Sequence, residues 1–359
     1  MINWLTEQLE ISRGNNDTIY SMEGLRGLAV FLVFLVHYSA TMKPWVDGYS
    51  VTIAHYVHDV GRLGVDLFFV LSGYLIYGLI IKDRAWSLLD YTKRRIQRIY
   101  PTFLVVFAAY LILSFLFPSE SKLPDSKADA ITYILQNLFL LPGIFNIKPI
   151  ITVAWSLSYE VFYYVLIPTV ILLTKMKCWS SRKRLKFWCI ASILAFTLIP
   201  FHGHQVRLLM FVAGILLFEI HSEKLFEIKH GGILILLLAL TMFGLRTTIG
   251  ISFESAIAIV FVLFLLLGLC AFHPNSNIYR WLTLTPVRWL GNMSYSYYLV
   301  HGLTLKFIGL ILGLLVSNDF VSTTIYYWLL LPSFALTLIT SFLLYWSVER
   351  PLSLTRKKV

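Results

Sequence analysis

Arg26 and His37 sit eleven residues apart at the two ends of Arg26-Gly-Leu-Ala-Val-Phe-Leu-Val-Phe-Leu-Val-His37. Everything between them is glycine or apolar. Eleven residues make about three turns of α-helix, so both side chains share one face, roughly 16 Å apart along the axis. A fixed cation near one membrane surface and a titratable imidazole most of the way across can line one path. The first could hold an anion and the second could move a proton. Each also has a plainer reading: Arg26 as an anchor snorkelling to headgroups, and His37 as a helix-end residue at the far interface. For Arg26 both readings stand. For His37 the functional one is favoured, because ionisable groups within membrane segments are rare and usually serve a purpose.

The elements that must carry these residues follow from composition. The chain has 359 residues, 58% of them hydrophobic and 14% charged, with a mean hydropathy of +0.74. Apolar runs near 20 residues recur along it, which predicts an all-α, polytopic transmembrane bundle of about ten helices. The net charge of +11 does not call for nucleic acid, since Lys and Arg gather in the loops on one side. No cleavable signal is expected. Cys178, Cys189 and Cys270 have no metal-ligand spacing, fall near predicted cytoplasmic helix ends and are expected to be free thiols; no metal site is expected.

Residues 1–22 read as a short polar arm, helical in part. Predicted helices cover about 23–42, 62–82, 99–117, 152–174, 187–200, 206–220, 231–246, 254–271, 287 onward and 322–347. Residues 43–60, with His55, His58 and Asp59, read as a polar loop. Pro101 would sit in the first turn of the third helix, where its missing N–H costs nothing. The apolar run Ile131–Leu141 suits a short interfacial or re-entrant helix. Most of the 30 Lys and Arg fall in the N-terminus, the even loops and the tail, and the positive-inside rule then makes both termini cytoplasmic.

That orientation puts His37, Asp66, Glu160 and His301 together in the middle-to-outer half of the membrane. Charges there need partners or a wet cavity. Asp66 or Glu160 could hold one nitrogen of His37 and leave the other as a general base. Structural hydrogen bonds between helices are the plainer account. Other residues are less specific alone. Ser72-Gly73-Tyr74 could simply permit close packing. Trp155, Ser156, Tyr159, Tyr163 and Tyr164 could be packing or belt residues. Tyr297 and His301 are i,i+4 partners that could bond each other. His202 and His204 read as exposed loop residues, and a metal at His55 and His58 is disfavoured. Arg95 and Arg98 sit near Arg26 at the inner side, where basic loops are the default but an arginine cluster could also hold a phosphate-rich ligand.

The order of motifs resembles acyltransferase family 3, membrane proteins that acylate bacterial surface glycans. The resemblance rests on Glu23-Gly-Leu-Arg26 with His37, Val65-Asp-Leu-Phe-Phe-Val-Leu-Ser-Gly-Tyr74 and Arg95-Ile-Gln-Arg98-Ile-Tyr-Pro101. It continues through Trp155-Ser-Leu-Ser-Tyr-Glu160, Leu290-Gly-Asn-Met-Ser-Tyr-Ser-Tyr-Tyr-Leu-Val-His301 and Glu349-Arg-Pro351. Departures are the arm before the first motif and Tyr74 where Phe is commoner. The resulting division is a cytoplasmic arm (1–22), the transmembrane acyltransferase domain (23–351) and a basic cytoplasmic tail (352–359).

The resemblance implies an O-acyltransferase in the bacterial cytoplasmic membrane. Its donor would be acyl-CoA, usually acetyl-CoA, and its acceptor a hydroxyl of a surface glycan such as O-antigen or exopolysaccharide, or of a lipid-linked precursor. Arg26, Arg95 and Arg98 would hold the CoA phosphates. His37 would act as base or transient acyl carrier, helped by Asp66 or Glu160. Ser72, Tyr74, Trp155, Ser156, Tyr159, Tyr297 and His301 would line the substrate path. Some relatives carry an extracytoplasmic esterase-like domain where this chain has a short basic tail. Transfer is therefore expected to be completed alone or with a separate partner. The rival class, a proton-coupled transporter, could use the same ionisable residues, but no two-fold repeat of broken helices is seen.

The charge bias gives a direct test. A reporter that is active only outside the cell, fused after Val359, should stay silent; a strong signal would reverse the orientation.

Overall fold

The computed structural model describes residues 2–11, 20–83, 85–198, 203–316 and 321–354. His202 and the tail residues Arg356, Lys357 and Lys358 lie outside them. The described residues form fifteen α-helices in order: α1 Ile2–Leu9, α2 Tyr20–Met42, α3 Tyr49–Gly61, α4 Leu63–Lys82, α5 Leu88–Leu116, α6 Lys127–Leu138, α7 Ala154–Leu173, α8 Ser181–Leu198, α9 Leu209–Ser222, α10 Gly232–Leu245, α11 Phe253–Ala271, α12 Asn277–Leu282, α13 Thr285–Asn292, α14 Ser294–Leu315 and α15 Ile325–Leu344. No strand occurs among them. Eight stretches are long and apolar enough to cross a membrane, with α3 and α4 forming one of them. Helix α8 falls outside that set. The 14 residues of α10 reach only about 21 Å, short of a hydrocarbon core of about 30 Å.

Several boundaries differ from the sequence expectation for identifiable reasons. The expected loop over 43–60 is mostly α3, so His55, His58 and Asp59 are helical; the chain turns at Arg62, whose N–H reaches the Asp59 carbonyl. Helix α5 begins eleven residues before the expected start at Ile99. Ser87 caps it by accepting from the Asp90 N–H, and the basic residues Lys93, Arg94, Arg95 and Arg98 extend the helix instead of forming a loop. Pro101 therefore lies inside a helix, a position that packed neighbours make tolerable. The single helix expected from Val287 is split at Met293 into α13 and α14. After α15 the backbone widens into a π-helix over Tyr345–Leu354, which carries Glu349.

Helices α4 and α9 form the centre, and every residue of α9 from Leu209 to Ile220 is buried. They touch backbone to backbone. A Cβ built on Gly73 would stand 2.0 Å from the Phe211 carbonyl oxygen, and one on Gly214 would stand 1.9 Å from that of Val70. Without a hydrophobic drive between helices in lipid, such close contact supplies the packing energy. The same device seats α13 on α2: a Cβ on Gly291 would lie 1.7 Å from the Glu23 carbonyl oxygen. A second apolar cluster joins α2 to α15 around Phe34 and Tyr38. All three cysteines are free, with Cys270 buried at the end of α11.

Gly73→Leu should lower the unfolding temperature of the purified protein in detergent, by at least the ~1–3 kcal/mol typical of overpacking. Gly302→Ala should not, because a Cβ there meets nothing within 4 Å. Equal behaviour of the two would refute the close α4–α9 contact.

Candidate functional site

The bundle contains two cavities. The smaller, of about 130 Å³, is lined by Arg26 from α2, Ser72 from α4, Arg95 and Arg98 from α5, Ser156, Glu160 and Tyr164 from α7, and Tyr295 and Tyr298 from α14. The Arg95 guanidinium lies over the rings of Tyr91 and Tyr164, 5.5 and 5.4 Å from their centres, which fixes its plane. Arg98 donates to Glu349 Oε1 at 2.7 Å and lies over Tyr295. Glu349 is fully buried and also accepts from the Ser296 N–H and hydroxyl, at 3.0 and 2.6 Å. Much of the Arg98 charge is therefore met within the protein. Glu160 accepts from the Tyr164 hydroxyl at 2.6 Å and the Ser72 hydroxyl at 3.4 Å.

The larger cavity, of about 380 Å³, is lined by His37 and Thr41 from α2, Tyr110 from α5, Thr152 and Val153 before α7, and Gly302 and Lys306 from α14. Its rim is basic. Lys306 pairs with Glu120 at 2.9 Å. Lys122 donates to the Pro149 and Ile150 carbonyls and to Thr152 Oγ1. Burial, with Lys306 and Lys148 nearby, pushes the Lys122 ammonium below its ordinary pKa.

Tyr298 links the walls of the two spaces. Its ring lines the arginine cavity. Its hydroxyl donates to the carbonyl oxygen of Val153, a wall residue of the His37 cavity, at 2.7 Å. The same hydroxyl bonds Ser156 Oγ at 2.5 Å.

The four ionisable residues expected at one depth separate into three environments. His37 and His301 come together, with ring centres 5.0 Å apart. Asp66 does not join them. It is fully buried and held by Arg207 Nη1 at 2.7 Å, and Arg207 also donates to the Arg62 carbonyl. Glu160 lines the arginine cavity with its two hydroxyl donors. The expected carboxylate hold on His37 is not seen; Asp66 instead pairs with the cationic Arg207, in the turn just before α9, and His37 has an imidazole neighbour. Tyr297 and His301 do meet, but through the backbone: His301 Nδ1 lies 2.8 Å from the Tyr297 carbonyl oxygen, while the Tyr297 hydroxyl bonds Thr337.

Of the remaining expected residues, Ser72 and Ser156 face the arginine cavity. Tyr74 instead bonds His221. Trp155 and Tyr159 pack edge to face and both meet Phe69. Sequence reasoning missed Arg207, Tyr298 and Lys306. Arg207 carried a usable signal, as a lone arginine in the apolar stretch Gln205–Ser222 should have demanded a buried partner for the same reason as Asp66. Among the described residues no three His, Cys, Asp or Glu side chains form a metal-binding group.

The family model described as an acyltransferase domain matches residues 19–346. The O-acetyltransferase OatA of Staphylococcus aureus is 27% identical over 329 residues, covering 78% of this chain and 49% of its own length. A putative O-acetyltransferase of Staphylococcus aureus strain COL is 24% identical over 326 residues, covering 81% of this chain and 51% of its own length. The chain thus spans about half the length of the curated relatives it matches. No solved structure matches it.

The Asp66–Arg207 pair makes a quantitative prediction. Asp66→Asn or Arg207→Gln alone should each cost about 3–5 kcal/mol of stability by stranding a buried charge. The double variant should cost clearly less than the two singles together. Thermal unfolding of the three proteins checks this, and simple additivity would refute the pairing.

Proposed function

The chain belongs to this acyltransferase family, and from that premise we propose that it is a membrane O-acetyltransferase of the bacterial cytoplasmic membrane. It takes an acetyl group from acetyl-CoA at the cytoplasmic face. It passes that group to a hydroxyl of a surface glycan, or of its lipid-linked precursor. The names of the relatives support the reaction type. The observation that carries the reading is the pair of cavities: one lined by three arginines, the other by a histidine, with Tyr298 lining the first and bonded to a wall residue of the second.

The division of labour follows from the chemistry of each wall. CoA is rich in phosphate, and arginine binds phosphate through a planar fork of N–H donors. Arg26 and Arg95 supply that recognition. Arg98, committed to Glu349, braces the wall behind them. At about 130 Å³, the small cavity takes only part of the slender pantetheine arm unless its walls move, with the nucleotide outside it. The arm runs along α2 toward His37, roughly 16 Å from Arg26, and Tyr298 swings aside to let the thioester through.

At the thioester, His37 removes the proton of the acceptor hydroxyl. The hydroxyl oxygen bonds the carbonyl carbon, the carbon–sulfur bond breaks, and the departing thiolate takes the proton from the imidazolium. Products are the acetyl ester and free CoA. Glu160, which lines the small cavity together with Arg26 and Arg95, limits the net positive charge of the donor site. Asp66 acts at a distance, by fixing α4 to the Arg207 region.

Two substitutions separate these roles. Arg26→Ala should weaken acetyl-CoA binding ten- to a hundredfold, the ~1.5–3 kcal/mol of a charge-assisted contact, and Arg26→Lys should recover part of it. His37→Gln should keep donor binding while turnover falls by about 10²–10⁴. Calorimetric titration with acetyl-CoA and a glycan acetylation assay on the same preparations read both. Normal turnover in His37→Gln, or a shared loss of binding, would sink the assignment.

A further inference from the structure

The function proposed above leaves open what orients His37, since no carboxylate contacts it. His301 has the geometry for the task. It is fully buried. Its Nδ1 stands 2.8 Å from the Tyr297 carbonyl oxygen. A carbonyl oxygen only accepts, so Nδ1 must carry the proton. In the neutral ring Nε2 is then a lone-pair acceptor. That Nε2 is buried and has no hydrogen-bond partner among the described residues, a state that normally costs free energy and asks for a reason.

A neighbouring group with a proton to give is His37, whose ring centre lies 5.0 Å from that of His301 at an interplanar angle of 63°. Ring nitrogens stand about 1.2 Å from their centre, so this separation admits an N–H···N hydrogen bond when a His37 nitrogen and Nε2 face each other. His301 cannot rotate to match, because the Tyr297 ring stacks on it at 5.1 Å and 13° while its Nδ1 is tethered to the helix. His37 is the mobile partner, half-buried at the wall of the larger cavity.

We propose that His301 is the positioning residue for His37, its Nε2 accepting the His37 N–H so that the other His37 nitrogen is presented unprotonated to the cavity. The proposal rests on the transfer reaction above for its catalytic consequence, though not for its geometry. In that reaction His37 gains the acceptor's proton and later returns it to the thiolate. His301 stays neutral, and its lone pair stabilises the transient imidazolium through the shared N–H. The arrangement does the work that a carboxylate does in an Asp–His pair, with an uncharged acceptor. A neutral acceptor suits this position, since a buried carboxylate would need a cation of its own.

The test uses the full chain in detergent with ¹⁵N-labelled histidine, comparing wild type with His301→Phe and His301→Gln. Phe keeps a ring but has no acceptor; the Gln amide oxygen falls near the place of Nε2. The ¹⁵N signals of His37, identified by their loss in His37→Gln, should report one tautomer in wild type and a mixture in His301→Phe. His301→Gln should restore the single tautomer. Turnover should follow the same order, with kcat reduced at least tenfold in His301→Phe, largely recovered in His301→Gln, and the KM for acetyl-CoA unchanged in both. An unchanged His37 tautomer in His301→Phe overturns the proposal, as does an equal loss of kcat in both variants. If wild type shows the single tautomer but transfers no acetyl group, the function proposed above fails while the positioning role stands.

Discussion

A carboxylate buried among apolar helices must find a cation or a set of donors, and this constraint organises the bundle. Four carboxylates that are nearly or fully buried, Glu23, Asp66, Glu219 and Glu349, are each tied to an arginine of another element: Arg288, Arg207, Arg184 and Arg98 respectively. Each pair fastens two helices at a fixed rotation. Glu219 adds the hydroxyls of Ser181 and Tyr77, and Glu349 adds the start of α14. Such pairs add little net stability over well-packed apolar residues, but losing one partner is costly. They therefore specify which arrangement of helices is allowed more than how stable it is.

The site is what these pairs leave over. Glu160 faces a cavity shared with Arg26 and Arg95, and His37 faces another. In both places ionisable groups line space that a ligand can enter. The glycine contacts, which bring α4 against α9 and α13 against α2, fix the frame of helices that carries these residues.

Tyr298 ties the walls of the two cavities together. Its ring lines the first, and its hydroxyl is satisfied by Ser156 and the Val153 carbonyl. Moving the ring would cost those two hydrogen bonds. The break between α13 and α14 at Met293 lies little more than a turn from Tyr298, and provides a joint about which the start of α14 can adjust.

The sequence by itself determined the class of structure and the chemistry-bearing residues. Apolar runs of membrane length admit only helices, because a backbone in lipid must satisfy its own hydrogen bonds. The eleven-residue interval from Arg26 to His37 fixes a shared face through helix geometry alone. Boundaries were less legible where polar residues extend a helix beyond the apolar stretch, as over Lys93–Arg98, since periodicity of apolar residues carries no signal there. Partnerships were not legible at all. Asp66 and His37 are expected at similar depth, and nothing local says that Asp66 turns to Arg207 while His37 lies beside His301. That choice depends on the rotation of α4 about its own axis, set where Gly73 meets Phe211 and Gly214 meets Val70. It is a property of helices meeting across long stretches of chain, and only the tertiary structure decides it.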